Sequence, residues 1–441
     1  MRAYDIISKK RDKKSLTKDE IEFFINGCAK GTIPDYQTTA LLMAVYLNGM
    51  NAVETTHLTL AMADSGEKFD LSSVKGVKVD KHSTCGVGDK TTLIVAPVVA
   101  ACGIPFAKMS GRGLGHTGGT IDKLESIPGF TTELTTAQFL ENVNNIGVSI
   151  AGQTGNIAPA DKKLYSLRDV TATVNCLPLI ASSIMSKKIA GGADKILLDV
   201  KTGSGSFMRT MEESIALAKE MVRLGEDLGK ETIAMVTDME QPLGNAVGNS
   251  IEVIEAIESL KGRGPQDLKN ICINIAVSIV IMALGCREIE AKSMVLNALS
   301  DKKALLKFKE LITAQGGDPG IIDDYSLFKQ PVITYNYHAP FGGYINSMAA
   351  DKIGAAAMLL GAGRDKKEDR IDSSAGIYLR KKTGDPVEKD EIIASFYTDK
   401  KDVIDQVVEM FGLAVSYTNQ AQGPRPMILA KVDKNGSILC T

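Results

Sequence analysis

Apolar residues fall into a helical rhythm soon after the start of the chain. Ile21, Phe24, Ile25 and Cys28 recur at i, i+3, i+4 and i+7, which aligns them on one helix face. Thr17 and Glu20 form a capping-box pattern ahead of that run and Gly31 follows it, so both ends are marked. Pro34 opens a second helix that runs to about Leu47, and Ala52–Ala63 reads as a third. Near residue 77 the rhythm changes. Residues 77–79 predict a short strand, 91–102 an apolar helix closed by Gly103, and 105–109 a second strand. A strand–helix–strand succession argues for a parallel sheet. Helices follow over 159–169, 178–190 and 211–228, strands over 195–200 and 232–237, and a helix-rich stretch over 251–315. From about Gln330 short apolar runs alternate with Gly and Asp turns. The pattern predicts an α/β protein with a helical domain over 1–70 and a second helical segment at about 159–192. An α/β domain with a mixed, mostly parallel sheet takes 75–158 and 193–330, and a C-terminal α+β domain takes 331–441.

Two polar, glycine-rich segments interrupt this pattern where predicted strands end. Residues 80–92 read Asp-Lys-His-Ser-Thr-Cys-Gly-Val-Gly-Asp-Lys-Thr-Thr, and 110–125 read Ser-Gly-Arg-Gly-Leu-Gly-His-Thr-Gly-Gly-Thr-Ile-Asp-Lys-Leu-Glu. Glycine lets backbone N–H groups approach a ligand, and hydroxyls and cations complete a shell around an oxyanion. The fitting guest is phosphate. In parallel sheets ligands bind beyond the carboxyl ends of the strands, where both loops fall. Of only four histidines, His82 and His116 lie in these loops.

Other motifs are weaker. Gly113, Gly115 and Gly118 fit the spacing of a dinucleotide fingerprint, but near the position where an acid is expected stands Gln138. Gly88-Asp89-Lys90-Thr91 interrupts the Gly-Lys pair of a P-loop. Lys81, His82 and Ser83 follow a predicted strand end, where a charged turn is the plain alternative to a ligand site. Arg168 by spacing alone is a solvated helix-end arginine. Ser183 and Lys187 share a face of one predicted helix; a polar surface stripe competes with a half-buried site, which the small apolar neighbours favour.

Composition narrows the class. Among 441 residues, 51 Lys and Arg nearly balance 53 Asp and Glu, so no basic footprint for nucleic acid is present. The N-terminal segment is too polar for a signal peptide. The longest apolar stretch, 272–286, is broken by Asn274 and Ser278 and is too short to span a bilayer. Seven scattered cysteines without a Cys-x-x-Cys pair point to thiols in a reducing cytoplasm.

The 110–125 segment resembles the signature of the thymidine and pyrimidine-nucleoside phosphorylases. The resemblance extends in order to 81–89, to Tyr-Ser-Leu-Arg-Asp-Val-Thr at 165–171, to Ile-Ala-Ser-Ser-Ile-Met-Ser-Lys-Lys at 180–188 and to Asp-Val-Lys-Thr-Gly-Ser-Gly at 199–205. It implies phosphorolysis of a pyrimidine nucleoside to free base and α-(deoxy)ribose 1-phosphate, and a homodimer formed through the helical layer. It implies a phosphate held by Lys81, Ser83, Thr92, Lys108, Met109, Ser110 and Thr120. The base would meet Arg168, Ser183 and Lys187, with His82 and Tyr165 close by. His82, Arg168 and Lys187 would be the catalytic set, with His82 hydrogen-bonding or protonating the departing base. Lys108 resembles the broad-specificity type, which implies uridine, thymidine and deoxyuridine as substrates. The resemblance further implies a potassium ion ligated at Gly88, Lys90, Leu243, Ala246 and Glu255, and no organic cofactor. Two departures stand out: Cys85 where the family usually has glycine, and Lys90 where it usually has threonine or another small residue; the alternative to the ion is that the Lys90 ammonium folds back and fills the hole itself as a compact point charge.

Two alternatives belong to other classes. A phosphoribosyltransferase of similar architecture would need an acidic pair near the loops to hold magnesium, and the adjacent acids of this chain lie elsewhere. A lipoyl-like carrier would present a modifiable lysine at a hairpin tip beside methionine, and no Met-Lys pair occurs in the C-terminal region.

Overall fold

The computed structural model describes residues 1–113, 118–152, 156–364, 366, 369–421, 423 and 425–440. His116 and the middle of the second glycine loop therefore lie outside the described residues. Four helices open the chain: α1 (Ala3–Arg11), α2 (Lys18–Ala29), α3 (Asp35–Asn48) and α4 (Ala52–Ala63). Thr17 and Glu20 close the capping box on α2, and Asn51 and Glu54 do the same on α4. The first helix has no counterpart in the sequence reading. Its buried face is only Ala3, Ile6 and Lys10, too sparse a stripe to show as periodicity.

Lys10 is buried because it has a partner. Its Nζ donates to both oxygens of Glu54, at 2.8 and 3.0 Å, and the Leu16 amide donates to the same carboxylate at 2.8 Å. One acid thus caps α4 and ties it to α1 and the following turn.

The central layer alternates strands and helices: β1 (Val79–Ser83), α5 (Thr91–Ala101), β2 (Phe106–Ser110), α6 (Thr120–Leu124), α7 (Thr136–Ile146) and β3 (Val148–Gly152). The chain then returns to the helical layer for α8 (Pro159–Val170) and α9 (Leu177–Ala190). Leu164 and Leu179 join Phe24, Ile25 and Leu58 in one core there. Next come β4 (Lys195–Thr202), α10 (Met211–Asp227), β5 (Glu231–Asp238), β6 (Ala246–Gly248), α11 (Ser250–Leu260), α12 (Gln266–Leu284), α13 (Glu288–Ser300) and α14 (Lys303–Ala314). Helix α12 is long and apolar enough to cross a membrane by length and composition. Here it packs against α5, α13 and β4 in the largest core.

The remainder holds β7 (Ile333–His338), β8 (Gly343–Met348), α15 (Ala350–Ala357), β9 (Gly376–Leu379), β10 (Pro386–Val387), β11 (Ile392–Thr398), α16 (Ile404–Ala414), β12 (Val415–Thr418), β13 (Ile428–Asp433) and β14 (Gly436–Leu439). The central sheet runs β14-β13-β5-β4-β1-β2-β3. Strands β1 to β5 are parallel, and β13 joins β5 antiparallel.

Three details depart from the sequence reading. The first strand covers 79–83 rather than 77–79, so Lys81, His82 and Ser83 belong to it instead of following it. Pairing with β4 in register from Val79↔Lys195 to Ser83↔Asp199 keeps these polar residues extended. Strand β3 and helix α7 have no counterpart in the reading. And 331–441 is not one body: its last two strands extend the central sheet, while β6, from the α/β segment, pairs with β9. Composition does not reveal such an exchange, because edge pairing depends on where the chain arrives.

The Lys10–Glu54 pair gives a stability test. Removing one partner of a buried ion pair leaves an uncompensated charge and costs about 3–5 kcal/mol. Glu54→Ala should lower the unfolding free energy by that order in denaturant titration, and Lys10→Met combined with Glu54→Gln, which keeps an acceptor for the Leu16 amide, should recover most of it.

Candidate active site

The sheet order reverses direction between β1 and β4: β2 and β3 extend to one side of β1, and β4 and β5 to the other. Crevices at the carboxyl ends of strands at such a switch point hold ligands. A cleft of about 910 Å³ opens there. His82, Cys85, Ser110 and Arg112 line its sheet side; Asp161, Tyr165 and Arg168 from α8 and Ser183, Ile184 and Lys187 from α9 line its helical side. The cleft thus lies between two differently built layers.

On the helical side the donors are already held. Asp161, Tyr165 and Arg168 recur at i, i+4 and i+7 along α8, so they share a face. The Arg168 guanidinium donates to the carbonyls of Val174 at 2.6 Å, Leu179 at 3.2 Å and Thr173 at 3.3 Å, and lies 5.8 Å from the Tyr165 ring centre. Arg168 is buried, not the solvated helix-end residue that its spacing suggested. Lys187 Nζ donates to Asp161 Oδ2 at 2.6 Å and to Ser183 Oγ at 3.3 Å. The expected base-side residues all line this one cleft, Tyr165, Arg168, Ser183 and Lys187 on its helical wall and His82 opposite them on the sheet wall.

The expected phosphate set divides. Ser110 lines the cleft, at the end of β2. Lys81, Ser83, Thr92, Lys108, Met109 and Thr120 do not line it. Lys81 Nζ donates to Thr91 Oγ1 at 2.6 Å and stands 3.2 Å from Asp199 Oδ2. Ser83 Oγ donates to the Asp89 carboxylate, which also accepts from Thr91 Oγ1 at 2.6 Å. Lys108 Nζ donates to the Lys81 carbonyl at 2.5 Å, and Lys188 Nζ donates to the Met109 carbonyl at 3.1 Å. Thr92 is buried in the first turn of α5, and Thr120 opens α6.

Beneath the loops the charges do not balance. Lys188 lies 2.8 Å from Asp80, with Lys108 at 3.7 Å from the same carboxylate. Lys201 lies 2.9 Å from Asp199, whose other oxygen accepts from Thr237 at 2.6 Å. Burial would push the Asp89 carboxyl up, but Lys81 and Lys201 outweigh it and hold it well below the usual range. Four ammonium groups (Lys81, Lys108, Lys188, Lys201) thus face three carboxylates (Asp80, Asp89, Asp199). The surplus shows at Lys108, whose pKa is pushed down to about 7 by burial and by Lys188. It shows again at His82, driven well below its ordinary value by burial and by Lys188, Lys108, Lys187 and Lys81. His82 is therefore a neutral imidazole near pH 7. It can offer or accept a hydrogen bond, and it is not a resident proton donor.

Cys85 has φ +76, in the left-handed region that favours glycine and costs other residues about 1 kcal/mol.

The five residues expected around a potassium ion are brought together, but the centre is taken. Lys90 Nζ donates to the carbonyls of Leu243 and Ala246, each at 2.9 Å, and to Glu255 Oε2 at 2.5 Å. The Gly88 carbonyl accepts the Lys90 amide at 3.0 Å. A potassium ion does not fit this arrangement, because a second unit charge would have to share the same oxygens with the ammonium.

Three family models match the chain: the helical bundle domain of a glycosyl transferase family over 4–66, its a/b domain over 75–305, and the pyrimidine nucleoside phosphorylase C-terminal domain over 344–418. The pyrimidine-nucleoside phosphorylase of Staphylococcus epidermidis is 52% identical over 433 residues, covering 98% of this chain and 99% of that protein. The chain belongs to the pyrimidine-nucleoside phosphorylase family. Family members from Geobacillus stearothermophilus and Bacillus subtilis are 53% and 52% identical, covering 92% and 96% of this chain and 94% and 98% of theirs. In fold, this phosphorylase family member is similar to anthranilate phosphoribosyltransferase from Thermus thermophilus. The TM-score is 0.58 at 18% identity, over 70% of this chain and 99% of that one.

Sequence reasoning missed Asp161, which holds Lys187, and the buried set Asp80, Asp199, Lys188 and Lys201. The first was visible as the i, i+4, i+7 face with Tyr165 and Arg168. The second left a trace in charged residues set inside apolar strands, as in Leu-Leu-Asp-Val-Lys at 197–201.

The depressed His82 pKa has two measurable consequences. In NMR titration its ring resonances should stay at the neutral position as pH falls from 8 to 6. The unfolded imidazole takes up a proton near 6.5 that the folded one refuses. Stability should therefore fall with pH below about 6.5, and His82→Gln should flatten that slope.

Proposed function

We propose that this protein catalyses the reversible phosphorolysis of pyrimidine nucleosides in nucleoside salvage, with uridine, thymidine and deoxyuridine as substrates. One observation carries the reading. Across a single cleft, a donor set suited to a planar, carbonyl-bearing base faces a glycine-loop floor with one more positive charge than its carboxylates neutralise. A phosphate dianion supplies the negative charge that floor lacks, and its arrival would raise the lowered pKa of Lys108. The family relatives, full-length and named for this activity, support the same reaction. They favour it over phosphoribosyl transfer, for which the similarity rests on fold alone.

In this reading the loops hold phosphate with one oxygen free to attack C1′ on the face opposite the base. The C1′–O bond forms as the C1′–N1 bond breaks, and the electron pair of that bond moves onto the base. Arg168 and Lys187 stabilise the charge that grows on the base carbonyl and ring nitrogen; preorganised donors of this kind are often the largest catalytic contribution. Tyr165 packs beside them, Ser183 and neutral His82 contribute hydrogen bonds, and the base takes up its proton after departure. No side-chain nucleophile is needed. Closure of the helical layer onto the sheet excludes water, which would divert the reaction to hydrolysis.

The proposal includes a homodimer through the helical layer. Tyr36, Leu47 and Val53 on α3 and α4 are large apolar residues left exposed on that layer, which supports it. It also includes a cytoplasmic setting, supported by the odd, scattered cysteines.

The deciding assay incubates uridine or thymidine with phosphate and follows free base by chromatography. Release must vanish when phosphate is omitted; release without phosphate refutes phosphorolysis. Arg168→Ala and Lys187→Ala should each lower kcat by on the order of a hundredfold while phosphate binding changes far less. Lys81→Ala should instead cripple turnover at low phosphate. Cytidine should not be cleaved, because its 4-amino group sets a donor where uracil and thymine place a carbonyl that can accept from Lys187.

A further inference from the structure

The segment 242–246 is clamped by two ammonium groups from different parts of the chain. Lys382, in the C-terminal region, donates to the Gly244 carbonyl at 2.7 Å, to Asp267 Oδ2 at 3.0 Å and to the Pro242 carbonyl. Lys90, at the end of the first glycine loop, donates to Leu243, Ala246 and Glu255 on the other side. Its side chain is fully buried. Glu255 is itself fixed, because both its oxygens accept from the Asn245 and Ala246 amides at 2.9–3.2 Å. The backbone makes room for this cage. Gly88 has φ +71, and a Cβ there would stand 2.5 Å from the Leu243 carbonyl oxygen. Gly244 has φ +68, and its Cβ would stand 2.3 Å from Glu255 Oε2 and 2.9 Å from Lys90 Nζ.

This is a built cation site: two carbonyls and one carboxylate converge on the point that the Lys90 ammonium occupies. Carbonyl and carboxylate oxygens suit hard, weakly polarising cations. An ammonium and a large monovalent ion are near equivalents in size and charge, and lysine acts as a compact point charge. Burial works against the charge of Lys90, but Glu255 and Glu252 outweigh it and hold its pKa above the usual lysine value.

We infer that Lys90 is a tethered cation that does permanently what a bound monovalent ion would do in the same oxygen cage, so that this chain needs no such ion. The group ties the first glycine loop to the segment before α11. An ammonium on a covalent stem cannot dissociate, so the loop keeps its shape at any potassium concentration. The latent ion site persists beneath it and opens when the lysine is shortened.

The test is thermal melting in potassium chloride against tetramethylammonium chloride at equal ionic strength, a readout independent of the phosphorolysis reading. The wild-type protein should melt at the same temperature in both salts, and its turnover should be equally indifferent. Lys90→Thr should melt roughly 5 °C or more lower in tetramethylammonium, because Glu255 loses its partner. Potassium should restore most of that loss in a saturable manner. Lys90→Met fills the space without a charge and should melt low in both salts. A wild-type melting temperature that rises with potassium overturns the inference, and this arm stands even if Lys90→Thr fails to fold. A folded Lys90→Thr protein indifferent to potassium overturns it as well.

Discussion

Buried lysines set against buried carboxylates brace the strand ends and the first glycine loop beneath the cleft. Asp80 gathers Lys188 and Lys108, Asp199 gathers Lys201 and Lys81, Glu252 pairs with Lys123 at 2.9 Å, and Glu255 pairs with Lys90. Taking such groups out of water is costly, and mutual attraction offsets the cost only where geometry is good and further hydrogen bonds are made. A purely apolar foundation would be easier to stabilise. What the charged one supplies is a fixed positive potential under the glycine loops, strong enough to neutralise His82 and to loosen the proton on Lys108.

The two walls of the cleft then differ in kind. The sheet side offers potential and backbone; the helical side offers individually held donors. Arg168 is braced by three carbonyls and Lys187 by Asp161, so neither side chain has to be ordered when a base arrives. That lowers the entropic cost of binding.

Much of this was legible in the sequence. A capping box and a 3.6-residue period located α2, and the glycine segments marked the strand ends that carry ligands. What stayed hidden has physical reasons. Asp80, Lys81, Asp199 and Lys201 look like solvent-facing charges, because a linear pattern does not show that their partners are supplied by neighbouring strands in register. Lys90 was legible either as a departure beside an ion or as an ammonium that fills the hole itself, and the structure takes the second form because the side chain is long enough to reach the centre. Arg168 looked exposed because the 173–179 turn that buries it carries no periodic signal.

The outer edge of β5 is covered by β13, which begins 190 positions further along, from Asp238 to Ile428. Until that segment arrives, the layer that carries the glycine loops ends in an unpaired strand containing Ile233, Ala234, Met235 and Val236. Open apolar edges invite pairing with other chains, and contacts so distant in sequence form slowly. A polypeptide made from its N-terminus therefore builds its ligand-binding layer early and seals it late. The β13–β14 hairpin is as much a guard against misassembly as a part of the sheet.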